Sequence, residues 1–174
     1  MSDLAARQRE LVAALVAGGE PPAGVDPGRF AAAERALRAK RAGEVAAAWP
    51  LLAAALNTAA PNTGPDSTAP DTARPGATFA TRFAGWARAR PSNGALRDGW
   101  DFARELAAAG ELPELGRDEL AARDVRTRYD GRRRPRPRRL PAARRVTGGW
   151  LVAGPGIGTR LLRPPVGAHR GDCG

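Results

Sequence analysis

Residues 30–56 read FAAAERALRAKRAGEVAAAWPLLAAAL, and the character of this stretch decides the fold. Nearly every residue favours a helix, and alanine costs least of all. Phe30, Ala33, Leu37, Val45, Ala48, Trp49 and Leu52 recur at three- and four-residue steps. That spacing places an apolar stripe on one helical face, which must be covered by other elements. Gly43 weakens the helix and Pro50 lacks a backbone N–H. The stretch is therefore predicted to break, with one helix over about 27–41 and a kinked or segmented one over about 43–56.

Outward from this stretch, further helices are legible. Leu4, Gln8, Leu11, Val12, Leu15 and Val16 share a face behind a Ser2 cap, and Gly18-Gly19 ends that helix. Asp26-Pro27 supplies an N-cap followed by proline at the first helical position. Phe79, Phe83 and Trp86 lie on one face ahead of Pro91. Asp98 is expected to cap a helix that carries Trp100, Leu106 and Phe102 or Ala103 into the core. A last short helix is expected from Glu114 or Asp118 to Val125.

Between these helices, residues 57–76 hold no large apolar side chain and read as a flexible insertion. After residue 125 the style changes. Residues 132–139, RRRPRPRR, cannot be helical because of Pro135 and Pro137, and read as an extended basic linker (126–139). Over 140–163, Val146, Trp150, Val152, Leu161 and Leu162 alternate with Gly148-Gly149 and Gly154-Pro155-Gly156, the pattern of a β-hairpin or three-stranded meander. Residues 164–174 are expected to be disordered. The fold class read from this is all-α: a bundle of five to six short helices over 1–125, with a basic linker and a small β-tail.

The 174 residues carry a formal charge of +10, placed unevenly. Residues 1–125 hold 15 basic and 16 acidic side chains, and residues 126–174 hold 13 and 2. All excess charge thus belongs to the C-terminal part. No run approaches the length of a membrane span. The first residues, MSDLAARQRE, lack the apolar core of a secretory signal, so a cytoplasmic location is expected.

Chemistry-bearing residues are few. His169 and Cys173 are single and lie near the C-terminus, so neither a metal site nor a Ser/His/Asp or Cys/His nucleophile is expected. Asp98, Asp101 and Glu105 read as capping and solvated charge. Gly154-Pro155-Gly156-Ile157-Gly158 resembles half of a dinucleotide loop but lacks the surrounding βαβ unit, and turn glycines account for it better. The arginine run is the strongest feature. Arg132, Arg133, Arg134, Arg136, Arg138 and Arg139, flanked by Tyr129 and Trp150, suit docking on an acidic protein surface. They also suit phosphate contacts with base stacking on the two aromatics, as in a nucleic-acid-binding tail.

The order of motifs resembles a known group. Arg38–Leu56 ends in Trp49-Pro50 and a leucine-rich turn, and FATRFAGWARARP (79–91) and GWDFAREL (99–106) follow. This is similar to the helical domain of HvfC/BufC-type partner proteins, also labelled DNA-binding domains. The chain looks most like an uncharacterised actinobacterial relative of that group, with Tyr129–Gly131 and Arg132–Leu162 matching its Arg-rich stretch and β-tail. The resemblance spans residues 4–162 outside the insertion. It implies a non-catalytic accessory protein without a cofactor of its own. Its implied partner is a TIM-barrel multinuclear non-heme iron oxidase that modifies ribosomal peptides, or that enzyme's precursor peptide, or both.

Overall fold

The computed structural model describes residues 2–58, 77–88 and 90–163. Most of the expected insertion and all of the expected disordered tail lie outside these residues. The described chain holds six helices: α1 (Ser2–Ala17), α2 (Pro27–Ala48), α3 (Pro50–Thr58), α4 (Phe79–Trp86), α5 (Ala95–Ala108) and α6 (Glu114–Arg126). Five strands follow: β1 (Thr127–Arg128), β2 (Arg136–Pro137), β3 (Ala142–Val146), β4 (Gly149–Gly154) and β5 (Gly158–Leu162). The all-α expectation is corrected by these strands. They form two antiparallel sheets, β1-β2 and β3-β4-β5, so the fold is mixed, though largely helical. The chain divides into two compact units, Met1–Gly116 and Arg117–Gly174, and the division falls within α6.

The helix ends follow from local chemistry. Asp26 caps α2 by accepting a 2.7 Å hydrogen bond from the Arg29 backbone N–H, with Pro27 next in line. Gly18, at φ 69°, ends α1, and the Gly19 N–H donates back to the Ala14 carbonyl. The predicted break at Gly43 does not occur, and α2 runs through it to Ala48. A solvent-facing glycine costs a helix only about 1 kcal/mol. Buried Ala42 and Val45 and the i,i+4 pairs Glu34–Arg38 and Lys40–Glu44 offset that cost. The real stop is Trp49, pushed out of the helical region (φ −129°, ψ 65°) by the following proline. Trp49 still serves both helices: its N–H donates to the Val45 carbonyl, and its carbonyl accepts from the Ala53 N–H.

The core of the helical unit is aromatic. Trp49, Trp100, Phe83, Leu52, Leu56 and Val45 are all fully buried. Trp49 meets Trp100 edge-on with ring centroids 5.7 Å apart, and Phe83 meets Phe102 edge-on at 5.4 Å. Such pairs contribute about 0.5–1.5 kcal/mol each beyond their buried area. The expected core residues of α5 are all buried, Phe102 and Ala103 alike. Asn57, at the end of α3, accepts a hydrogen bond from the Phe79 N–H at 3.0 Å and so fixes the start of α4.

In the second unit the arginine stretch is not an open linker. Thr127 pairs with Pro137 and Arg128 with Arg136, and the Arg138 N–H extends the ladder to the Arg126 carbonyl. Prolines are tolerated because the ladder is short and has open edges. The meander over 142–162 has the expected antiparallel order. Gly148, at φ 80°, makes the β3–β4 turn, and Asp118 of α6 accepts from the Thr147 N–H there at 2.9 Å. Gly149 admits no side chain, since a Cβ would sit 2.2 Å from the Leu162 carbonyl oxygen. The residues 155–157 form the β4–β5 turn, with the Ile157 N–H donating to the Gly154 carbonyl.

Candidate functional site

Two clusters of charge stand out, one in each unit. In the helical unit, Asp98 does not cap α5, which begins at Ala95 behind Gly94. Its carboxylate is buried and accepts three hydrogen bonds. Arg41 Nε donates to Oδ2 at 2.8 Å, Ser92 Oγ to Oδ2 at 2.8 Å, and the Asn93 N–H to Oδ1 at 2.9 Å. Asp98 also lies in the first turn of α5, where the positive end of the helix dipole favours a negative charge. Arg41 also donates from Nη1 to the Arg90 carbonyl at 2.7 Å and from Nη2 to the Pro91 carbonyl at 3.4 Å. This network joins α2 to the α4–α5 connection through a buried carboxylate. It is a structural tie.

Nearby, Glu105 accepts from Arg90 (2.7 and 3.3 Å) and from Trp86 Nε1 (2.9 Å), while the Arg90 guanidinium lies 4.8 Å from the centre of the Trp86 ring. The Arg90 hydrogen bond draws the Glu105 carboxyl below the ordinary glutamate value. Desolvation opposes this, and the Trp86 N–H and the Arg90 charge reinforce it. A lowered native value means the pair stabilises fully above the unfolded glutamate range, near about 4.3, and the contribution is lost as pH falls through the lower native value. Both side chains are about half exposed, so the effect stays below about 1 kcal/mol. Glu105→Gln is expected to flatten the loss of stability between about pH 5 and pH 3, read as urea midpoints across that range. An unchanged slope would refute the assignment.

The second cluster is the β1–β2 hairpin. Arg128, Asp130, Arg133, Arg134 and Arg136 line a cavity of about 190 Å³. Asp130 shapes it: Oδ1 accepts from the Arg132 N–H at 3.0 Å and the Arg133 N–H at 2.8 Å, and Gly131 turns the chain at φ 82°. Those two N–H groups, Arg133 first, hold the Asp130 carboxyl below the usual aspartate range. The carboxylate is thus ionised across the physiological range, and it is committed to the loop.

The residues predicted for docking take different places. Arg133, Arg134 and Arg136 line the cavity and Arg132 and Arg139 do not, although all five are exposed. Arg138 turns inward, its Nε donating to the Asp124 carbonyl at 2.6 Å. Tyr129 is only 6% exposed, so its ring is not offered to a partner. Trp150 lies in the other sheet, near the start of its middle strand and between Arg145 and Leu162, and is 51% exposed. Arg128 was missed in the sequence because it precedes the run. Only its cross-strand register with Arg136 brings it in, a pairing with no local signature.

Among the described residues, no group of three or more His, Cys, Asp or Glu is placed to hold a metal ion. None of their helices is long and apolar enough to cross a membrane.

Fold and site together describe a helical packing domain joined to a small basic β unit. The sequence model of the family described as "SCO6045-like, C-terminal domain" matches residues 5–63 and 66–108, more than half of the chain. The chain belongs to that family. The match ends before α6, so the basic hairpin lies outside the matched residues. No curated protein and no solved structure matches the chain.

Proposed function

We propose that this is a non-catalytic, cytoplasmic binding protein that docks through the basic surface of its second unit. The observation that carries the reading is charge segregation: residues 126–174 hold 13 of the 28 basic side chains and only 2 of the 18 acidic ones. Several arginines of the helical unit are, by contrast, committed to partners inside it, as in Arg41–Asp98, Arg82–Glu111 and Arg90–Glu105. The similarity of residues 38–56, 79–91 and 99–106 to HvfC/BufC-type partner proteins supplies the class of partner. It is a multinuclear iron oxidase acting on ribosomal peptides, or that enzyme's precursor peptide. The chemistry then belongs to the partner, and this chain contributes binding and placement.

Affinity capture of the full chain with an oxidase encoded beside it tests the reading. Capture is expected at low salt, with marked weakening by about 0.3 M salt, because exposed charge pairs are screened. The triple variant Arg133→Gln/Arg134→Gln/Arg136→Gln should lose it. No capture at micromolar concentration would refute the docking role. The nucleic-acid reading rests on the same arginines, but buried Tyr129 removes one of its two stacking platforms. A gel shift with single-stranded DNA that weakens steeply with salt, and disappears in the same triple variant, would favour it instead.

A further inference from the structure

We propose that the β1–β2 hairpin is a binding site for a phosphate-class oxyanion, best filled by a diphosphate group. Four arginines, Arg128, Arg133, Arg134 and Arg136, line one small surface cavity together with a single acidic residue, Asp130. The formal balance there is strongly positive. Among the described residues, none of the four guanidiniums has an ion-pair partner. Asp130 is held by backbone N–H groups and forms no ion pair either.

The register adds a second argument. Arg128 and Arg136 stand directly opposite each other in the ladder, and like charges at such positions destabilise a strand pair. A two-residue ladder has little to offset this. The arrangement makes physical sense when an anion sits between the guanidiniums and turns the repulsion into shared attraction. The planar arginine fork matches phosphate oxygens two at a time. Pro135, Pro137 and the Asp130 clamp pre-set the loop, so little ordering remains to oppose binding.

Size and lining select the ligand. About 190 Å³ is small beside the roughly 300–1,000 Å³ of ordinary organic-ligand pockets. Only arginine and aspartate line it, so charge and hydrogen bonding, not apolar contact, select the ligand. One carboxylate brings too little charge, whereas a diphosphate brings two to three. The claim concerns the hairpin already assigned to docking but needs no macromolecular partner, so the two stand or fall separately. Lost capture with intact diphosphate binding counts against docking alone, and the reverse against this site alone.

The test is calorimetric titration of the full chain with sodium pyrophosphate, inorganic phosphate and adenosine diphosphate at low salt. Pyrophosphate is expected to bind at one site, about tenfold or more tighter than phosphate. Adenosine diphosphate equal to pyrophosphate identifies a nucleotide's diphosphate as an admissible source, and much weaker binding restricts the site to the free ion. Arg134→Gln and Arg136→Gln should each weaken pyrophosphate about tenfold or more. Arg145→Gln, the same charge loss on β3, should change it less than about twofold. Asp130→Asn keeps an oxygen acceptor for the loop and removes the only negative charge, so it should tighten binding about threefold. No saturable pyrophosphate binding, an equal loss in Arg145→Gln, or weaker binding in Asp130→Asn would each overturn the proposal.

Discussion

Asp98→Ala is expected to lower the stability of the helical unit by about 3–5 kcal/mol, the largest effect of any single polar substitution in that unit. The carboxylate is 1% exposed, and removing it strands the Arg41 guanidinium, itself mostly buried, without its counter-charge. It also removes the acceptor for the Ser92 hydroxyl and the Asn93 N–H. Asp98→Asn retains an acceptor for Asn93 and should cost clearly less. Replacing both partners, Arg41→Met with Asp98→Leu, should recover much of the loss, because the double change leaves no buried charge unpaired. Urea unfolding followed by tryptophan fluorescence measures all three. A loss below about 1 kcal/mol in Asp98→Ala would mean that the network is weaker than its geometry implies.

Gly99→Ala should be destabilising, against the ordinary rule for a helix interior. On an open helical surface this change gains up to about 1 kcal/mol. At position 99 the added Cβ would lie 2.2 Å from Cδ1 and Nε1 of Trp49. The indole cannot retreat easily. It is fully buried, stands edge-on to Trp100, and donates from Nε1 to the Leu96 carbonyl at 3.1 Å. Overpacking of a closed core costs about 1–3 kcal/mol, and here the clash is with a rigid ring, so a net loss of about 2 kcal/mol or more is expected. Gly43→Ala on α2 is the matched control. Nothing lies within 4 Å of a Cβ there, so that variant should gain about 0.5–1 kcal/mol. Denaturation midpoints moving in the same direction for the two variants would refute the close approach of Trp49 to α5.

Part of this molecule is written in its local chemistry. The Asp26-Pro27 start, the glycine stop after α1 and the aromatic face of Phe79 and Phe83 each depend on neighbours within one helical turn. Such features are legible because capping and helical periodicity act over that range. The α2 break was misplaced for a related reason. Gly43 is a weak local signal that burial of Ala42 and Val45 overrides, whereas Pro50 acts sterically and admits no compensation at Trp49.

The candidate site divides along the same line. The chain by itself determined that positive charge collects after residue 125 and that Pro135 and Pro137 exclude a helix there. Only tertiary structure decided that the stretch closes on itself, that Arg128 faces Arg136, that Arg138 turns inward, and that Tyr129 is buried. It likewise turned Asp98 from an expected cap into a buried counter-ion for Arg41, 57 positions away. Composition and periodicity report what each residue favours among its near neighbours. Strand register and the pairing of distant charges depend on which segments meet, and that is settled only when the chain closes around its core.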